Sequence, residues 1–359
     1  MTQQSRSGPS HDAAESPGSE PEGPTWPEIA ASHARPHLGR TLLALATSVL
    51  PFIALWVLMY FALDVSYVLV LALAVPTAGF VLRTYILFHD CVHDSLLGSR
   101  RANARLGAVL ALLMFTPFAR WRHDHRVHHA TAGDLGRRGT GDIKTLTVAE
   151  YNARPWHGRL AYRLFRHPVV MFGLGPIYGM LLAPRWIHRS ARPKSRRSVW
   201  RTNVVLALTI GGLCWLIGWR DFLLVEAPIA ALAGAAGIWL FYVQHQFEHT
   251  YWQASPDWSY QDAALLGSSY LRLPKVLQFF TGNIGLHHVH HLNTKIPNYN
   301  LQRAHDTSSI FGRVRVLSLW DGLRTVRLKL WDDDEGRLLT WKERRRQTRF
   351  QANGAAVGE

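Results

Sequence analysis

The residues best able to do chemistry in this chain are histidines, and they come in patterns. The segment 120–130, RWRHDHRVHHA, carries His125, His128 and His129 as H-x-x-H-H. At roughly 100° per residue, a helix holds these three rings within an arc of about 100°. Three imidazoles converging from one face can bind a metal ion. They pack a core poorly, because neutral imidazole is polar and neighbouring imidazolium ions repel. A solvated basic turn would account for one such trio, but the pattern recurs. FHDCVHDS places His89 and His93 four apart, and QHQFEHTYW does the same with His245 and His249. TGNIGLHHVHHLN repeats H-x-x-H-H with His287, His290 and His291.

Ten of the 19 histidines fall in these four clusters, while His123 and His288 read as spacers. An all-imidazole set without cysteine excludes thiolate zinc and iron–sulfur sites and suits iron, zinc or copper. Ten ligands are too many for one ion. Two ions with four or five nitrogens each, plus open positions, use them well. A dinuclear iron centre is the economical interpretation, because redox iron beside a membrane can activate dioxygen against a lipid chain. Only Cys91 and Cys214 occur, so no disulfide framework is expected, in keeping with a reducing compartment.

The elements that must carry these clusters are apolar. Of 359 residues, 48% are hydrophobic, yet the net charge is +15, with basic and His-rich blocks set between apolar runs. That segregation points to a polytopic membrane protein with a polar cytoplasmic part. Spans are expected at about 42–63, 67–88, 202–217 and 222–243, each near the 20 residues a bilayer requires. The first two form a hairpin around Asp64, the last two another around GWRD. Leu106 to Phe118, with only about 13 residues, is expected to be re-entrant or interfacial. The glycine-broken run Val169 to Trp186 is read the same way, because the basic loop RSARPKSRRSVWR after it belongs inside. All four histidine clusters then lie on one face of one membrane. The basic clusters flank spans and follow no nucleic-acid-binding pattern, so the charge is read as topology and anionic-lipid contact. No cleavable signal peptide is expected, the apolar run starting too late and continuing too long.

With these residues in view, the chain resembles the membrane-bound fatty acid desaturase family. The boxes HDCVH, HDHRVHH and HHVHH carry the likeness, with a separate histidine after the fourth span. WRHDHRVHHATAGDLGRRGTGD, WLFYVQHQFEHTYW and GNIGLHHVHHLNTKIPNYNL are most similar to the acyl-lipid desaturases of bacteria and plants. The resemblance covers roughly residues 40–330. It implies an all-α four-span bundle with a cytosolic helical cap holding two irons, in a bacterial cell membrane with both termini inside. It implies dioxygen as co-substrate and a separate electron donor, ferredoxin or cytochrome b5 in type, since no such domain is fused. The product implied is a cis double bond in a lipid-bound acyl chain; hydroxylation of an alkyl chain or carotenoid is the alternative within the same superfamily. A non-catalytic histidine-rich metal carrier is disfavoured, because a carrier places its ligands within the spans.

Carried over by position, His89, His93, His125, His128, His129, His287, His290 and His291 match the family's box ligands. The additional ligand is His245 or His249, both of which stay open. Asp90, Asp94, Asp124 and Glu248 sit beside these positions and could orient imidazole N–H groups. Asp142 and Asn283 are weaker candidates. No residue is assigned as acid, base or nucleophile. Trp239, Tyr242, Tyr251 and Trp252 are read as interface anchors ahead of tunnel lining. Residues 1–35 are expected as a disordered tail, 36–330 as the membrane domain, and 331–359 as a basic, solvated tail.

Overall fold

A computed structural model describes residues 26–139, 142–187, 189 and 191–357. The chain is mainly helical. It begins with α1 (Trp26–His33), then the long helices α2 (Leu38–Ala62) and α3 (Tyr67–Val92), followed by α4 (Arg100–Leu113) and α5 (Phe118–Thr131). A two-residue strand β1 (Leu146–Thr147) leads into α6 (Val148–Ala153) and α7 (Trp156–Phe165). Two π-helical turns, Val170–Leu174 and Ile177–Leu182, and the 3₁₀ turn Ala183–Arg185 precede α8 (Pro193–Ile217) and α9 (Trp219–His245). The remainder alternates short pieces: α10 (Tyr260–Leu265), β2 (Tyr270–Arg272), α11 (Lys275–Phe280), α12 (His287–Leu292), α13 (Leu301–Asp306), β3 (Val316–Ser318), α14 (Leu319–Thr325), β4 (Leu328–Asp332), β5 (Arg337–Thr340) and α15 (Trp341–Val357).

Among the described residues, four helices are long and apolar enough to cross a membrane, namely α2, α3, α8 and α9. α3, α8 and α9 contain the spans expected at 67–88, 202–217 and 222–243, and α2 begins before the span expected at 42–63 and ends one residue short of it. Their outward faces carry Leu42, Leu50, Val68, Val75, Leu208 and Trp215, all exposed. Contiguous apolar surface of this extent is unfavourable in water and favourable in lipid. Pro51, Pro76 and Pro228 sit inside three of these helices. Prolines are tolerated in membrane spans, where neighbouring groups re-satisfy the freed carbonyls. The α2–α3 turn and the α8–α9 turn lie at one end of the bundle, the latter at Gly218 with φ +86, which glycine adopts without the Cβ penalty.

The other end is the cap. The α3 helix is buried continuously from Ile86 to Val92, in contrast to its exposed outer half. The pair α4 and α5 is bent by 102°, so the chain dips and returns, as the length of the apolar run predicts. The piece from Trp156 to Arg185 is bent by 62° and breaks into π turns around its glycines.

Two expectations are corrected by the cap. Residues 331–340 are not part of a solvated tail: β4 pairs parallel with β1 and antiparallel with β5, and Leu330, Leu338 and Leu339 have no exposure. The tight turn after β4 is closed by Asp332, whose Oδ1 accepts from the amides of Asp334 and Glu335. The apolar alternation was hidden by the acidic DDDEG turn between the strands. Residues 26–35 are not a free tail either, because Trp26 meets Phe311 edge-on at 5.1 Å and Ile29 and Ala30 are buried. Residues 1–25 lie outside the described residues. A second short sheet pairs β2 with β3 in parallel.

A buried polar strut joins cap to bundle. Arg166, fully buried at the end of α7, donates through its Nη atoms to the carbonyls of Lys144 and Leu328, the Thr145 hydroxyl, the Tyr242 hydroxyl and Gln246 Oε1. Lys329 Nζ donates to the carbonyls of Arg166 and Val326. Tyr242 is therefore neither an interface anchor nor a lining residue of an open tunnel; its hydroxyl donates to Leu328 O at 2.6 Å.

Candidate metal centre

The four histidine clusters meet where the cap closes over the bundle. His89 is in the last turn of α3 and His93 caps it. His125, His128 and His129 line one face of α5, His245 ends α9, and His287, His290 and His291 come from α12. Fold and spacing act together here. A cluster at a helix exit is anchored by a span on one side and free to face the cap on the other.

The rings sort into two groups among the described residues. His89, His93, His125, His129 and His290 form one, and His128, His245, His287 and His291 the other, with one donor nitrogen from each ring lying within 4.8 Å of the rest of its group. The groups abut, the ring centres of His129 and His291 being 4.1 Å apart. H-x-x-H-H thus does something its spacing alone does not reveal: His128 serves one group, while His125 and His129 serve the other.

Nε2 atoms face one another at 2.9 Å for His89 and His125, 3.0 Å for His125 and His129, 3.1 Å for His129 and His290, and 3.0 Å for His245 and His287. Two donors about 2.1 Å from one ion and at right angles to it would be about 3.0 Å apart. Six of the nine rings also carry a buried nitrogen without a hydrogen-bond partner: His89 Nδ1, His93 Nε2, His128 Nε2, His129 Nδ1, His287 Nδ1 and His291 Nε2. Each such atom costs about 1–3 kcal/mol when left unsatisfied. An ion would take up the open Nε2 atoms of His93, His128 and His291, whereas the Nδ1 atoms of His89, His129 and His287 lie across the ring from the Nε2 that faces the group.

Protonation points the same way. Burial, and then the neighbouring imidazoles, hold His93, His125, His129, His287, His290 and His291 well below the ordinary histidine value. They are therefore neutral, the form that ligates metals.

Groups behind the rings fix some tautomers. Asp142 Oδ1 lies 2.6 Å from His128 Nδ1, and the Gly267 carbonyl lies 3.0 Å from His245 Nδ1. Both leave Nε2 for the centre. Asp90 Oδ1 is 3.5 Å from His89 Nδ1, while its Oδ2 accepts from the amide and side chain of Asn298. Trp121 stacks on His125 with centroids 4.4 Å apart. Gly267, Asn298 and Trp121 were missed by sequence reasoning; Trp121, one turn before His125 on the same helix, was the one with a signal, its i to i+4 spacing.

Several expected residues stand elsewhere. His249 is exposed and belongs to neither group. The reason is local: α9 ends at His245, and Gln246 turns the backbone to φ −117, ψ 72, so i+4 spacing no longer means one face. Glu248 is exposed and pairs with Arg337. Asp124 pairs with Arg120, and Asp94 gathers Arg100, Arg122, Arg126 and Lys295. Asn283 donates to the Asn298 carbonyl. His288, the spacer, faces His305 at 2.9 Å instead of the centre.

Comparison with known proteins agrees with this geometry. The family model described as "Fatty acid desaturase" matches residues 64–309. A "Fatty acid desaturase" of Bacillus subtilis (strain 168) is 45% identical over 312 residues, which is 87% of this chain and 89% of the relative. The chloroplastic omega-6 fatty acid desaturase of Arabidopsis thaliana is 23% identical, over 66% of this chain and 53% of the relative. The "sn-1 acyl-lipid omega-3 desaturase (ferredoxin)" of a Synechocystis species is 27% identical, over 61% of this chain and 62% of the relative. Spans, cap, paired histidine groups and sequence likeness converge: this chain belongs to the fatty acid desaturase family.

Proposed function

We propose that this protein introduces a cis double bond into a lipid-bound fatty acyl chain, using dioxygen and two iron ions. The observation that carries the reading is the pair of abutting all-imidazole groups at the helix exits of an apolar bundle. His89, His93, His125, His129 and His290 would hold one ion, and His128, His245, His287 and His291 the other. Bound iron supplies the redox capacity to reduce dioxygen, which zinc lacks.

The chain's own residues hold and orient. Asp142 and the Gly267 carbonyl fix the Nδ1 protons of His128 and His245, and Trp121 limits rotation of His125. Burial of the rings keeps bulk water from the reacting positions. Forming the double bond takes two electrons and two protons from adjacent methylenes. Reduction of dioxygen to two waters takes four of each, so a separate donor of the ferredoxin or cytochrome b5 type must deliver the other two electrons, with the other two protons taken from solvent.

Charge supports the orientation. Arg220 is the basic residue at the α8–α9 turn, and the α2–α3 turn has none, whereas Arg100, Arg101, Arg105 and the run Arg192–Arg201 flank the histidine end. By the positive-inside rule the metal groups and both termini face the cytoplasm, across the inner membrane of a bacterium.

The test is the fatty acid profile of host membranes expressing this protein or its His128→Ala variant, with iron counted in each purified protein. A new unsaturated species with the unaltered chain and not with the variant is the expected result. A hydroxylated product would move the reaction to oxygenation, and full activity in the variant would overturn the assignment of the second group.

A further inference from the structure

A cavity of about 430 Å³ lies in the spanning bundle, away from the metal groups. Leu206, Ala207 and Ile210 of α8 form one wall, and Phe222, Ala227 and Ala230 of α9 the other. None of the nine clustered histidines lines it. Its size falls within the range of small-molecule sites, about 300–1,000 Å³. Ala207, Leu223 and Ala227 are exposed on the outward surface of the bundle, so the cavity opens sideways onto the acyl region of the bilayer. Glu226 is the polar exception in the spanning part, and its Oε2 is turned to α2, where it accepts from Trp56 Nε1 at 2.9 Å.

At the cap end the lining changes character. Arg185 and Asn203 close the cavity there, with the Arg185 guanidinium donating to Asn203 Oδ1 at 2.8 Å and to the Phe115 carbonyl. Its Nε is buried and has no partner. No carboxylate among the described residues lies within ion-pair distance of it. Arg120 adds a second guanidinium nearby, anchored on the carbonyls of Ala183 and Trp186 and paired with Asp124. A cation held by neutral partners, lining the end of an apolar slot, matches one amphiphile in both halves. Basic pockets between spans on the cytoplasmic side take lipid head groups in this way, and guanidinium favours phosphate.

We infer that this cavity is a binding site for an anionic glycerophospholipid, with its phosphate on Arg185 and one acyl chain between α8 and α9. The inference is independent of the reaction proposed for the metal groups, since it concerns a separate site and is read by binding alone.

Native mass spectrometry of the full-length protein, titrated with phosphatidylglycerol and with phosphatidylcholine, tests it. The unaltered protein is expected to retain phosphatidylglycerol about tenfold more tightly, the scale of one charge-assisted phosphate contact. Arg185→Gln, which keeps a donor toward Asn203, is expected to bring the two lipids to parity. Ala230→Phe, which fills the slot, is expected to weaken both. Equal binding of the two lipids by the unaltered protein overturns the inference, whatever the variants do. So does undiminished phosphatidylglycerol binding in both variants. Should Arg185→Gln fail to fold, the unaltered protein and Ala230→Phe decide the matter.

Discussion

The protein buries two polar clusters, one of imidazoles and one built on Arg166 and Lys329, that differ in what they leave unfinished. The nine imidazoles of the centre point nitrogens at one another, and His93, His128 and His291 each retain a buried Nε2 with no partner. The Arg166–Lys329 cluster, about as deep, spends its donors on carbonyls, hydroxyls and an amide, leaving Arg166 Nε alone unpaired. A cluster that satisfies itself is a strut, because its free energy is realised on folding. A cluster that leaves convergent donors open is a site, because the missing partner must come from outside. Residue chemistry and hydrogen-bond count agree here, since neutral imidazole can ligate a metal and guanidinium or ammonium cannot.

The sharpest way to break the comparison is to remove one member of each. His129→Ala, which takes a ring from the five-donor group, is expected to reduce product to background and the iron content from about two to about one per chain. The variant protein should still insert and fold, as judged by size-exclusion behaviour and circular dichroism. Arg166→Leu should do the reverse. It leaves the Lys144 carbonyl without its donor and takes one of two donors from Leu328 O and Gln246 Oε1, and a loss of about 2–3 kcal/mol of stability is expected. Thermal unfolding would read it. A variant of Arg166 that kept its stability but lost activity would move that cluster from strut to site.

A smaller effect is expected one step behind the rings. Asp142→Asn should lower activity or iron affinity by about 10–100-fold, because His128 loses the carboxylate that sets its tautomer. Asp124→Asn and His249→Ala, both outside the centre, should leave turnover within about twofold. Kinetics on the three variants side by side would test the ranking.

The smallest effect is a pH slope in the strut. Burial, with Arg166 beside it, lowers Lys329 to about 7, whereas an unfolded lysine titrates near 10.4. Between those values the unfolded chain binds more protons, so this group makes stability rise as pH is raised from about 7 toward 10. Below about 7 both states carry the proton and the contribution is flat. The unaltered protein should therefore gain thermal stability between pH 7 and pH 9 more steeply than Lys329→Met does, in a buffer series.

Much of the site was legible in the sequence because its signals are local. The four spans follow from apolar runs of fixed length, and each ring of the centre follows from i, i+3 and i+4 spacing at a helix exit. Where the local rule stopped applying, the reading failed. His249 repeats the spacing of His93 but lies past the end of its helix. Asp142 stood as a weak candidate because it is 14 residues from its ring, across a loop, whereas Asp94 and Asp124, adjacent to rings in sequence, are taken by arginines.

The sequence by itself determined the spans, their common histidine end and the residue types of the centre. These depend on periodicity along one helix and on the thickness of a bilayer. Only the tertiary structure decided which rings group together, so that His128 parts from His125 and His129. It alone paired the C-terminal strand with Leu146, and it alone set Arg185 over a slot between two spans. Those outcomes rest on contacts between segments tens to hundreds of residues apart. No local spacing encodes such a contact, because it forms only when several buried surfaces are packed at once.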